Sequence, residues 1–105
     1  MIDILKKLFG AGTPTDYKAL VDAGAIIVDV RSVGEYREGH IAGSLNIPLD
    51  QIKNKLADLK KKNKPVITCC RSGSRSAMAK SALQSAGIES YNGGPWTSLN
   101  SKLKK

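Results

Sequence analysis

Two short, unbroken apolar runs constrain the fold more than any other feature of the chain: Ala25-Ile-Ile-Val-Asp-Val30 and Pro65-Val-Ile-Thr-Cys-Cys70. Neither alternates polar with apolar, so neither reads as a strand with one wet face. β-Branched runs of this length suit strands covered on both sides, the condition of a parallel sheet between helix layers. Helical patterns lie between and after them. Ile52, Leu56 and Leu59 recur on one helical face, and so do Ala79, Ala82, Leu83 and Ala86, with Gly87 closing that helix. Strands alternating with helices predict a three-layer α/β domain around a small parallel sheet.

The connecting segments fill in the rest. Thr13 reads as an N-cap with Pro14 at the first helical position and Asp16 in the first turn; Tyr17, Leu20 and Val21 face inward and Gly24 ends the helix. Ser32-Val-Gly-Glu35 is a capping box. Leu45-Asn-Ile47 is a short strand ended by Pro48, and Asp50 is placed to cap the helix of Ile52. The lysine-rich stretch 60–64 is a solvated connection. Ile88-Glu-Ser-Tyr91 reads as the last strand, and Gly93-Gly94-Pro95 leads into a final helix with Trp96, Leu99 and Leu103 inward. Met1, Ile4, Leu5 and Leu8 make residues 1–12 a separate amphipathic segment before a domain at 13–105.

At 105 residues the chain has room for one domain. Its net charge is +8, but aromatic residues are only 5%, which argues against base stacking and a nucleic-acid partner. No apolar run reaches the ~18 residues of a membrane span, and the opening residues lack the layout of a secretion signal. The expectation is a cytoplasmic monomer, or a periplasmic one if a leader has been removed.

The two cysteines, Cys69 and Cys70, are adjacent. Neighbouring Cα atoms are ~3.8 Å apart, short of the ~4.4 Å at which disulfides begin, so both are expected as free thiols. With a single histidine in the chain, no soft-ligand metal site is expected.

The chemistry concentrates in Cys70-Arg-Ser-Gly-Ser-Arg75, where a buried strand ends and a helix begins. Ligands of open α/β sheets bind at that edge. The N–H groups of Arg71, Ser72, Gly73, Ser74 and Arg75 can curl into an anion-binding nest, with the helix dipole and two guanidinium charges behind it. A thiol in that field deprotonates more easily. Cys70 is thus the expected nucleophile, and the five residues after it are expected to hold an anionic substrate.

These stretches resemble a single-domain rhodanese, a sulfurtransferase. The resemblance rests on Ile26-Ile-Val-Asp-Val-Arg31, Glu35-Tyr36, Gly39-His-Ile-Ala-Gly-Ser-Leu-Asn-Ile-Pro48, Cys70-Arg-Ser-Gly-Ser-Arg75 and Asn92-Gly-Gly94, in order over residues 14–103. It implies a parallel sheet of four to five strands flanked by helices. A first strand is implied near Gly10-Ala-Gly-Thr13, whose residues are poor strand formers. It also implies that Cys70 carries sulfur as a persulfide, taken from thiosulfate or a similar anionic donor and passed to cyanide, a thiol or a protein acceptor, without metal or organic cofactor. Asp29, Arg31, Glu35 and His40 are then expected to brace the loop. Two alternatives stand beside this reading. Counted from Cys69, the spacing to Arg75 is the Cys-x5-Arg of cysteine-dependent phosphatases and arsenate reductases. A non-catalytic rhodanese-like sulfur-carrier or binding module is the other.

Overall fold

The computed structural model describes residues 14–104. Helix α1 (Tyr17–Asp22) leads to strand β1 (Ile26–Asp29), then helix α2 (Val33–Glu38) and strand β2 (Leu45–Asn46). A 3₁₀ turn (Leu49–Gln51) opens helix α3 (Ile52–Lys61). Strand β3 (Val66–Cys70), helix α4 (Ser74–Ser85), strand β4 (Ser90–Pro95) and helix α5 (Trp96–Leu103) complete the order.

The four strands form one parallel sheet in the order β2-β1-β3-β4. Every residue of β3 is buried, as its unbroken apolar run requires. Successive side chains go to opposite faces, and two cores result. Val28, Val30, Val66 and Cys70 pack with Ile52, Leu59, Ala79 and Leu83 on one face. Ile27, Ile67 and Cys69 pack with Ile41, Leu99, Tyr17, Leu20 and Trp96 on the other. The two adjacent cysteines therefore lie on opposite sides of the sheet, both as free thiols.

Several local expectations shift. The α1 cap is Asp16, whose carboxylate accepts the Ala19 N–H at 3.0 Å, so Pro14 does not stand at the first helical position. Thr13 itself, the segment 1–12 and the strand implied near residues 10–13 lie outside the described residues. Asp50 sits inside the 3₁₀ turn, and α3 starts after Gln51 without a side-chain cap. Helix α3 runs to Lys61, so the lysine stretch is partly helical, though residues 60–64 are all exposed as expected. The last strand begins at Ser90 and includes Asn92-Gly-Gly-Pro95. Its shift has a cause in pairing: Thr68 faces Asn92 but Cys70 faces Pro95, so β4 holds one extra residue against β3 beside the cysteine.

Gly93 sits in that irregular stretch. A Cβ there would lie 2.8 Å from both Leu99 Cδ2 and the Thr68 carbonyl oxygen, so only glycine lets β4 pass between β3 and α5.

Candidate active site

The C-terminal ends of β1, β3 and β4 meet at one edge, and the loop of residues 71–73 leaves β3 there for α4. Gly73 holds φ +103°, a left-handed geometry that L side chains rarely adopt, and serves as the α4 N-cap without a side-chain bond. This bend turns the loop back over Cys70. The Gly73 N–H donates to Cys70 Sγ at 3.0 Å and the Ser76 N–H at 3.4 Å. Of the N–H groups of residues 71–75, those of Ser72 and Gly73 hydrogen-bond the sulfur, and Ser76, one residue further into the helix, adds its own.

Ser76 is fully buried. Its Oγ lies 3.3 Å from Cys70 Sγ, 3.0 Å from the Gly73 carbonyl and 2.6 Å from Asn92 Oδ1. One hydroxyl proton serves these acceptors one at a time. When Cys70 is a thiol, its S–H donates to Ser76 and the Ser76 hydroxyl donates to Asn92 or Gly73. When Cys70 is a thiolate, the hydroxyl turns to the sulfur. Asn92 also accepts the Gly94 N–H at 2.9 Å and donates from Nδ2 to the Gly73 carbonyl at 3.2 Å, clamping the loop to β4. Thr68 fastens the helix side by donating to the Ser76 carbonyl at 2.8 Å.

The two thiols differ in acidity. Burial raises the Cys70 pKa, but the hydroxyl and N–H of Ser76 and the N–H groups of Gly73 and Ser72 outweigh it, and the net shift is downward. The cause is hydrogen bonding at the sulfur rather than two bare guanidinium charges. Burial and the charge of Asp29 push the Cys69 thiol up to about 12. Cys69 packs among Ile27, Ile67 and Leu99, on the face opposite Cys70, so a phosphatase loop counted from Cys69 has no nucleophile inside it.

Arg75 folds away from the sulfur to Glu35, with bonds of 2.8 and 3.0 Å to the two carboxylate oxygens. That pairing, with the Ser32 N–H, lowers the Glu35 pKa to about 2. Ser32 and Glu35 also complete the expected capping box of α2. Asp29 and Arg31 form a buried ion pair at 2.6 Å, and Arg31 reaches on to the carbonyls of Glu35 and Gly39 at 3.2 and 2.7 Å. Asp29, Arg31, Glu35 and Arg75 are therefore one connected brace from β1 through α2 to the first turn of α4, where the loop ends. His40 stands outside it. It is exposed, stacks on Tyr36 at 3.7 Å and bonds the Tyr36 carbonyl through Nδ1. It fastens its own loop to the end of α2, not the cysteine loop.

Arg71 is exposed and lines a pocket of 380 Å³ with Trp96 and the α2 residues Glu35 and Glu38. Ser72 and Ser74 are exposed, their hydroxyls 3.5 Å apart. Ser76 and Asn92 are the residues sequence reading missed as site residues. Asn92 had a signal, since Asn92-Gly-Gly94 belongs to the recognised stretches; Ser76 had none beyond its place after Arg75.

The chain has counterparts among known proteins. The family described as "Rhodanese-like domain" matches residues 13–95. The uncharacterized protein YqhL of Bacillus subtilis is 39% identical over 69 residues, which is 65% of this chain and 54% of YqhL. The thiosulfate sulfurtransferase PspE of Escherichia coli is 36% identical over 61 residues, 57% of this chain and 59% of PspE. The chain thus spans about half the length of the curated relatives it matches. A solved rhodanese with anions from Escherichia coli superposes with a TM-score of 0.66 at 31% identity, covering 71% of this chain and 91% of the other. No helix among the described residues is long and apolar enough to cross a membrane. A parallel four-stranded sheet, a cysteine loop at its C-terminal edge and a match over most of the chain converge: the chain belongs to the rhodanese-like domain family.

Proposed function

We propose that this protein is a sulfurtransferase that carries sulfane sulfur as a persulfide on Cys70. The observation that supports this most is the position of Cys70 Sγ, held by the N–H groups of Gly73 and Ser76 at 3.0 and 3.4 Å. Such a cradle stabilises sulfur carrying negative charge, as thiolate before the reaction and as persulfide after it. In the first half-reaction the Cys70 thiolate attacks the outer sulfur of thiosulfate. The S–S bond breaks, sulfite leaves with its electron pair, and the persulfide remains. In the second, cyanide or a thiolate attacks the outer sulfur and Cys70 departs as thiolate. This is covalent, two-step catalysis with the same leaving and attacking group.

Cys70 has no exposed surface in this loop conformation. The donor sulfur therefore reaches it as residues 71–73 shift, and the loop closes over the persulfide it forms. The test is thiocyanate production from thiosulfate and cyanide. Parallel lines in double-reciprocal plots, lost in Cys70→Ser and kept in Cys69→Ser, support the reading. Activity that survives Cys70→Ser overturns it.

A further inference from the structure

The pocket of 380 Å³ beside the cysteine loop has an uneven charge inventory. Two of its charged groups are already satisfied: Arg31 by Asp29 and two carbonyls, and Glu35 by Arg75. Two others, Arg71 and Glu38, have no hydrogen-bond or ion-pair partner among the described residues. Trp96 forms an apolar wall, its ring held by the Arg31 guanidinium 4.8 Å from the centroid. Thr97 lines the same pocket in the first turn of α5, which follows Pro95 and has no side-chain cap. One free cation, on the residue that follows Cys70, an open helix N-terminus and one free carboxylate thus line the same small cavity. Thiosulfate and cyanide have no group for Glu38 to hold.

We infer that this pocket binds a small zwitterionic thiol as sulfur acceptor, its carboxylate held by Arg71 and the start of α5 and its ammonium by Glu38. The inference rests on the persulfide reading of Cys70. The volume is at the small end for ligand sites and suits an amino acid or short peptide. The acceptor thiolate attacks the outer sulfur of the Cys70 persulfide. The bond to Cys70 Sγ breaks, Cys70 leaves as thiolate, and the acceptor departs as a persulfide. No oxidant or reductant is needed.

The test uses protein loaded with thiosulfate and freed of excess donor, with the persulfide verified by mass. Its discharge is then followed with L-cysteine, γ-glutamyl-cysteinyl-glycine, cysteamine, 3-mercaptopropionate and 2-mercaptoethanol, compared at equal thiolate concentration. At least one of the two zwitterions is expected to react about three- to five-fold faster, per charge engaged, than thiols lacking that charge; which of the two leads separates a free amino acid from a peptide. Glu38→Gln is expected to abolish the advantage of the leading zwitterion over 3-mercaptopropionate, and Arg71→Ala its advantage over cysteamine. Equal rates for all five thiols, or variants that slow every thiol by the same factor, overturn the inference. Failure to form any persulfide would instead overturn the reading of Cys70 on which it stands.

Discussion

Neighbouring residues of one type can have opposite chemistry when a strand turns them to opposite faces, and Cys69 and Cys70 show how far this goes. Cys70 faces the loop donors and has its pKa lowered, while Cys69 is held among apolar side chains with a pKa of about 12. Iodoacetamide titration followed by peptide mapping is therefore expected to label Cys70 first at neutral pH, with Cys69 reacting only once the chain is unfolded. Ser76→Ala removes a hydrogen bond that favours the thiolate, so the midpoint of the Cys70 alkylation profile should move to higher pH. An unmoved midpoint would show that the backbone N–H groups alone set the acidity. Glu35 provides a second test. Its folded-state pKa is depressed to about 2 by Arg75, from an ordinary value of 4.5. The stability it contributes is thus fully present above about 4.5 and is lost as pH falls toward 2. Thermal melts from pH 6 to pH 2 should show Arg75→Ala below the native protein at the upper end and converging on it at the lower. Cys70, Arg75 and the Glu35 brace were legible in the sequence because charge and position in a motif announce them. Ser76 was not, and Asn92 was legible only as part of a recognised stretch, because their roles rest on two contacts, Ser76 Oγ to Asn92 Oδ1 and Asn92 Nδ2 to the Gly73 carbonyl, that exist only once β4 lies beside α4.

At the scale of elements, the loop depends on two glycines with different reasons. Gly73 needs its left-handed φ of +103°, and Gly73→Ala should cost about 1–2 kcal/mol in stability. Because the strain falls on the N–H that meets Cys70 Sγ, thiosulfate loading should slow as well. Gly93 needs space, with Leu99 and the Thr68 carbonyl 2.8 Å from where a Cβ would stand. Gly93→Ala should cost about 1–3 kcal/mol through overpacking, read as a lowered melting temperature. A melt unchanged by Gly93→Ala would mean that α5 yields easily. The apolar runs, the capping box of α2 and the inward faces of α3, α4 and α5 could be read from periodicity. The start of β4 could not. Gly93-Gly94-Pro95 reads as the lead-in to the last helix, and with Asn92 it forms a strand because β3 supplies the partner and an extra residue absorbs the mismatch.

The whole molecule separates its two poles. The cysteine loop, the Arg31 brace and the pocket of Arg71 and Glu38 gather at the C-terminal edge of the sheet. The lysines of residues 60–64 lie at the other end, before β3 begins, where Lys60 and Lys64 reach past Gly87 and Gly24 at the ends of α4 and α1. Cations suit helix C-termini, so part of the net positive charge serves the fold and stands away from the cysteine loop. The fold class and the edge that carries the cysteine loop followed from the sequence because parallel strands and helices alternate so regularly. The central claim, that Cys70 carries the sulfur, is tested most directly by intact mass after incubation with thiosulfate, followed by peptide mapping. The account predicts a gain of one sulfur atom, located on Cys70, absent in Cys70→Ser, retained in Cys69→Ser and removed by cyanide. No added sulfur, or added sulfur on Cys69, would contradict it.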